Sequence, residues 1–201
     1  MYIKRIELEN YRNYKKQTIS LINGINLFVG ENAHGKTNII ESVYVCALGK
    51  SYRTVKDVEL IKIGEKYARV IMQYDKNGVD NNIEYFIDSE NKKCIKCNDI
   101  KVRRISEHVG EVLIVTFSPD SLDVIKGSPT KRRNFLDSIC SQISKKYLMN
   151  LTEYNKCLKE KNSMLKCNVI DKEYLYVLHE KMANYIFNIK NFRRKVLKGL
   201  Q

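Results

Sequence analysis

The sequence predicts an α/β fold with antiparallel β-hairpins and a C-terminal helical arm. Three observations carry that reading. An apolar run, INLFVG (25–30), leads through GENAHGKTN (30–38) into a helical pattern. Short alternating segments with polar turns fill the middle of the chain. The last third repeats apolar residues at steps of three and four, the spacing of one helix face.

Taken in order, YIKRIELE (2–9) alternates as a strand, NYRNYKK (10–16) reads as a polar turn, and QTISLI (17–22) as a second strand. Asn23-Gly24 marks a turn before INLFVG, whose near-continuous apolar character suits a strand buried on both faces. From Thr37, apolar residues at 39, 40, 43, 44, 47 and 48 give helical spacing, with Gly49 as the stop. YARVIMQYD (67–75), the segment from Asn82 to Asp88 and KKCIK (92–96) predict antiparallel strands. EVLIVTF (111–117) predicts another buried strand. Ser118 with Pro119, and Ser128 with Pro129, each place an N-cap before proline at the first helical position. The second of these helices carries Phe135, Leu136, Ile139, Cys140 and Ile143 on one face. Leu148, Leu151, Tyr154, Leu158 and Leu165 form the stripe of the next helix, and CNVID (167–171) reads as a turn. Leu175, Leu178, Met182, Tyr185, Ile189, Phe192 and Val196 then form a heptad seam, which suits a helix packed along another helix.

The stretch from Gly30 to Thr37 fits G-x-x-x-x-G-K-[ST], and its context is an apolar strand before and an amphipathic helix after. Glycines 30 and 35 let the backbone wrap a phosphate with its amides. Lys36 supplies a point charge to the β- and γ-phosphate oxygens. Thr37 offers a hydroxyl to Mg²⁺ and opens a helix whose N-terminal dipole favours an anion. A P-loop enzyme also needs a carboxylate at the end of a second buried strand. The run EVLIVTF ends instead in Ser-Pro, and YFIDSE sits in a polar hairpin, so no catalytic residue is assigned.

Composition bounds the class. The chain has 201 residues, 43% hydrophobic and 29% charged, a globular mix in which no apolar run approaches the roughly 20 residues of a spanning helix. The N-terminus shows no apolar secretory stretch, so a cytoplasmic setting without a membrane is expected. The net charge of +13 points to a polyanionic partner, and residues 131–201 hold 16 Lys+Arg against 6 Asp+Glu. Candidate DNA contacts there are Lys131, Arg132, Arg133, Arg193, Arg194 and Lys195; the alternative is a solvated helical surface. The six cysteines read as free thiols. The pair Cys94 and Cys97 has no second ligand pair for zinc and reads as part of a hairpin turning at Asn98-Asp99.

IELENYRNY, FVGENAHGKTNIIESV, GKSYRTVKDVELI (49–61) and VTFSPDSLDVIKGSPTKRRNFLD (115–137) together resemble the RecF family of bacterial recombination mediators, relatives of the SMC and Rad50 heads. The resemblance runs in register from residue 2 to about 137. It implies an incomplete ABC-ATPase-type head over 1–137 and a helical hairpin arm over 138–201. It implies ATP with Mg²⁺ as cofactor, held by Gly30, Glu31, Asn32, Ala33, His34, Gly35, Lys36 and Thr37, with Asn38 following. Arg12 and Asn13 match the family's N-terminal loop that contacts phosphate and base. It further implies an ATP-dependent homodimer that binds DNA at single-strand/double-strand junctions. That dimer acts with RecO and RecR to load RecA in repair, replication and the SOS response. The family's signature motif and its Asp/Glu pair fall in a part that this chain does not match, which implies an N-terminal fragment or truncated product. Two other readings stay open: a small stand-alone P-loop NTPase or kinase, and a basic helical DNA-binding protein with a vestigial P-loop.

Overall fold

The structure, a computed structural model, describes residues 1–118, 121, 123–166 and 171–199. The chain divides into two compact units, 1–116 and 117–201.

The first unit is built on a six-stranded, wholly antiparallel sheet in the order β2-β1-β3-β4-β5-β6. The strands are β1 (Tyr2–Tyr11), β2 (Tyr14–Ser20), β3 (Tyr67–Lys76), β4 (Val79–Asp88), β5 (Lys93–Cys97) and β6 (Ile100–Lys101). Alternation in the sequence sorts side chains between its two faces. Ile6, Leu8, Val70, Met72, Ile83, Tyr85, Ile87 and Ile95 make the buried face. Helix α1 (Lys36–Leu48) packs on β3 and β4, and buries Val45, Cys46 and Ala47 completely. The opposite face carries a cross-strand charge ladder, with Glu84 between Arg69 (2.9 Å) and Lys96 (3.4 Å). Such one-sided burial is what an antiparallel sheet tolerates.

Turn chemistry sets the registers. Lys76 pairs with Val79 across Asn77-Gly78, both at positive φ, the type I′ geometry that matches strand twist. The polar stretch KNGVDN (76–81), one of the polar turns of the middle of the chain, is therefore mostly strand. The predicted turn at 10–16 likewise contracts to Arg12-Asn13, because Tyr11 pairs with Tyr14 and the ladder continues to both ends. The Asn98-Asp99 turn forms as expected between β5 and β6, again with both residues at positive φ.

Two expectations fail. INLFVG and EVLIVTF form no strand. Ile25, Leu27 and Val29 are 93, 83 and 82% exposed, and Val115 is 94% exposed. A doubly buried strand needs a ladder partner and cover on both faces. Among the described residues neither segment has a strand pairing. Phe28, Ile114 and Thr116 instead line an apolar cavity of about 390 Å³ with Ile3, Ile39 and Val43.

The second unit is helical: α3 (Asp123–Lys126), α4 (Pro129–Ile143), α5 (Lys145–Met164) and α6 (Lys172–Lys198), after the short α2 (Ile105–His108) of the first unit. Ser128 precedes α4 with Pro129 in its first turn, as predicted. Pro119 and the 167–170 part of the predicted turn lie outside the described residues. Ser144 and Asp171 accept the backbone N–H of Tyr147 and Tyr174, capping α5 and α6. The heptad residues of α6 are all buried or half-buried along α5. Cys140, Tyr147 and Ile189 form the centre of this core, with Leu136, Leu151, Tyr154, Phe192 and Val196 packed around it. Phe135, Ile143 and Leu165, placed on the inward stripes by spacing, are 44, 60 and 47% exposed. They sit at the margins of faces narrower than spacing alone suggests.

Candidate nucleotide site

The site is the turn that joins residue 30 to α1. Ala33 and Gly35 lie at φ 67° and 93°, so the chain curls left-handed just before the helix. The Gly35 carbonyl accepts the first helical bonds, from Asn38 (2.8 Å) and Ile39 (3.1 Å). The amides of Lys36 and Thr37 therefore stand at the open N-terminus of a 13-residue helix, where the dipole favours negative charge. Lys36 folds back over the loop, and its Nζ donates to the carbonyls of Gly30 (2.6 Å) and Glu31 (2.7 Å). Glu31, Asn32, Ala33, His34 and Thr37 are exposed along the turn.

Gly35 is required by close approach as well as by φ. A Cβ there would lie 2.6 Å from the Tyr14 hydroxyl and 2.7 Å from Asn13 Nδ2. The β1–β2 turn thus braces the loop. Tyr14 donates to the His34 carbonyl (3.2 Å), Asn38 Nδ2 donates to Asn13 Oδ1 (2.8 Å), and Lys62 donates to the Asn13 carbonyl (2.7 Å).

Arg12 lies one layer beneath. Its Nε and Nη2 donate to the two carboxylate oxygens of Glu41, at 3.0 and 2.7 Å, and its Nη1 to the Glu59 carbonyl at 2.8 Å. Arg12 therefore anchors the first turn of the sheet to α1. Sequence reading missed three members of this cluster. Glu41 is fully buried on α1, and the Ser51 hydroxyl donates to it at 2.6 Å. Arg53 Nη1 bridges Asn38 Oδ1 (2.7 Å) and Glu41 Oε2 (3.3 Å). Burial alone would raise the Glu41 carboxyl, but Arg12, Ser51 and Arg53 together hold it below the usual carboxylate range. The available signal was a charged residue at position 41 among the apolar positions of α1; such residues are buried when paired.

Of the six candidate DNA contacts on the helical unit, Lys131, Arg132, Arg133, Arg194 and Lys195 are exposed. Arg132 donates to the Gly127 carbonyl and Arg133 to Thr130. Arg193 is half-buried: its Nε donates to Asp137 (3.0 Å) and to the Tyr147 hydroxyl (2.9 Å), and its Nη2 pairs with Asp137 as well. It joins α6 to α4 and α5 rather than facing outward.

A helix N-terminus, a lysine over a glycine-bounded turn and an amphipathic sheet behind them define a P-loop domain, in the frame of an incomplete ABC-ATPase-type head. The AAA ATPase domain family matches residues 1–198, and the chain belongs to that family. It is 42% identical over 200 residues to the DNA replication and repair protein RecF of Clostridium novyi (strain NT), covering all of this chain and 55% of that protein. To the RecF of Clostridium beijerinckii it is 46% identical over 185 residues, 92% of this chain and 50% of the relative. The chain thus spans about half the length of the curated relatives it matches. Its structure is similar to that of the recombination mediator protein RecF with ATP, of the RecFOR pathway, at TM-score 0.93 and 35% identity, over 98% of this chain and 54% of that one. A structure from work on ATP-driven dimerisation of SMC ATPases shares the fold at TM-score 0.56 and 24% identity, over 69% of this chain.

Proposed function

We propose that this chain carries the nucleotide-binding part of a RecF-type DNA repair protein, with ATP and Mg²⁺ as its cofactor. The observation that supports it most is the convergence of Lys36 Nζ and the α1 N-terminus on one turn, held by a glycine that admits no Cβ. The donors present fit a triphosphate: cationic Nζ, helix-terminal amides and the exposed Thr37 hydroxyl, which suits a phosphate-bound Mg²⁺. When bound, ATP supplies the negative charge that Lys36 now finds on carbonyl oxygens. Gly30, Glu31, Asn32, Ala33, His34 and Gly35 wrap it, Asn13 and Asn38 brace the wrap, and Arg12 holds the β1–β2 turn in place through Glu41.

The wider reading follows the relatives. ATP-dependent pairing of two heads, DNA binding at gapped single-strand/double-strand junctions, and action with RecO and RecR in loading RecA belong to this proposal, as do replication and the SOS response. DNA would meet the exposed Lys131, Arg132, Arg133, Arg194 and Lys195 through phosphate contacts that weaken with salt.

Isothermal calorimetry with ATP and Mg²⁺ tests the central claim. Removing one charge-assisted contact costs about 1.5–3 kcal/mol, so Lys36→Ala should weaken binding about 10- to 100-fold. Equal affinity in the variant and the parent, or no heat in the parent, overturns the reading.

A further inference from the structure

A second cluster of reactive side chains lies at the far end of α1, away from the loop. His108, on α2, is 1% exposed, and both its ring nitrogens are engaged. Nε2 meets the Cys46 carbonyl, and Nδ1 lies 3.2 Å from Cys97 Sγ at the end of β5. A carbonyl only accepts, so the Nε2 proton is fixed. Nδ1 then faces sulfur with two options: a neutral ring accepting S–H, or an imidazolium donating to a thiolate. One proton is shared between Cys97 and His108.

An independent feature favours the charged arrangement. Cys46 belongs to the last turn of α1, whose carbonyls carry the negative end of the helix dipole, and a cation there is stabilised. Two titratable groups that feel Cys97 are the Cys46 thiol and the Tyr74 phenol; burial pushes both up, so neither adds charge near neutral pH. Glu111, beyond Tyr74, is paired with Lys76 at 3.4 Å. Cys97 itself is half-buried, at the end of β5 beside the Asn98-Asp99 turn. Cys94, three residues earlier, alternates to the opposite face and pairs with Phe86, so the two thiols of the C-x-x-C do not meet.

We propose that Cys97 is a thiol modification site, activated by His108, that takes small-molecule disulfides of the glutathione class. The Cys97 thiolate attacks one sulfur of R–S–S–R while its former proton stays on His108 Nδ1. The new Cys97–S–S–R bond forms as the old S–S bond breaks. The departing thiolate takes the proton from Nδ1 and leaves as R–SH. The mixed disulfide ends the Cys97–His108 hydrogen bond that ties β5 to α2.

The test is site-resolved mass spectrometry of the full chain with oxidised glutathione, from pH 6 to 9, with Cys94 as internal reference. A larger thiolate fraction at pH 7 is partly offset by lower intrinsic nucleophilicity, which leaves a net advantage of about threefold for Cys97. The sharper signature is the pH profile: the Cys97 rate should rise at lower pH than that of Cys94. In 8 M-range urea (roughly, full denaturation) the two rates should converge. His108→Gln should move the Cys97 profile onto that of Cys94. The urea comparison carries the test if the buried histidine variant does not fold. Coincident profiles in the folded parent, or a Cys97 advantage that persists in urea, overturn the proposal.

Discussion

Replacing Glu41 by alanine tests how the nucleotide turn is held to the rest of its unit. The carboxylate is fully buried and accepts from both arms of Arg12, from Ser51 and from Arg53. Truncation leaves the Arg12 guanidinium, whose side chain is 19% exposed, beside an empty polar pocket. Removing one partner of a buried pair costs about 3–5 kcal/mol. Residual hydration of Arg12 and its remaining bond to the Glu59 carbonyl place the expected loss at the low end, about 3 kcal/mol. For a chain of this size that lowers Tm by about 6–12 °C, measured by circular dichroism. Acid provides the second reading. The folded carboxyl sits below its unfolded value, so its contribution is present above about pH 4.3 and is lost as pH falls through the lowered folded value. The stability difference between the parent and Glu41→Gln should therefore shrink on acidification below about pH 4. A Glu41→Ala loss under about 1 kcal/mol, or a difference that grows in acid, would refute the reasoning.

Gly35→Ala forces a Cβ to within 2.8 Å of Asn13 and Tyr14 at φ +93°, and should cost about 1–3 kcal/mol while weakening ATP binding in calorimetry. Arg193→Ala should destabilise the helical unit by about 2–3 kcal/mol in urea unfolding, through its pair with half-buried Asp137. Arg194→Ala, exposed one residue later, should leave stability within about 0.5 kcal/mol. It should also lower the slope of log affinity for duplex DNA against log salt by about 1. Val115→Lys, at a position 94% exposed, should change stability by less than about 0.5 kcal/mol and reduce aggregation measured by light scattering; a loss of several kcal/mol would mean that the segment is packed after all.

The local rules written into the sequence settled much of this protein. Period-two alternation gave the sheet its buried and charged faces, Asn98-Asp99 gave a tight turn, and steps of three and four gave the seam of α6. G-x-x-x-x-G-K-T marked the loop because only glycine allows both its φ and its close contact with Asn13 and Tyr14. Tertiary structure decided what depends on distant partners. An apolar run such as INLFVG states a demand for burial, but strand formation needs a neighbour to take its N–H and C=O groups, and Leu27 and Val29 remain exposed. Likewise, charge along a helix does not say which arginine faces water: Arg193 meets Asp137 while Arg194 does not, and Arg12 meets a carboxylate 29 residues away. Periodicity is a property of neighbours along the chain, whereas pairing of charges is fixed only when folding brings α1, the β1–β2 turn and Ser51 together.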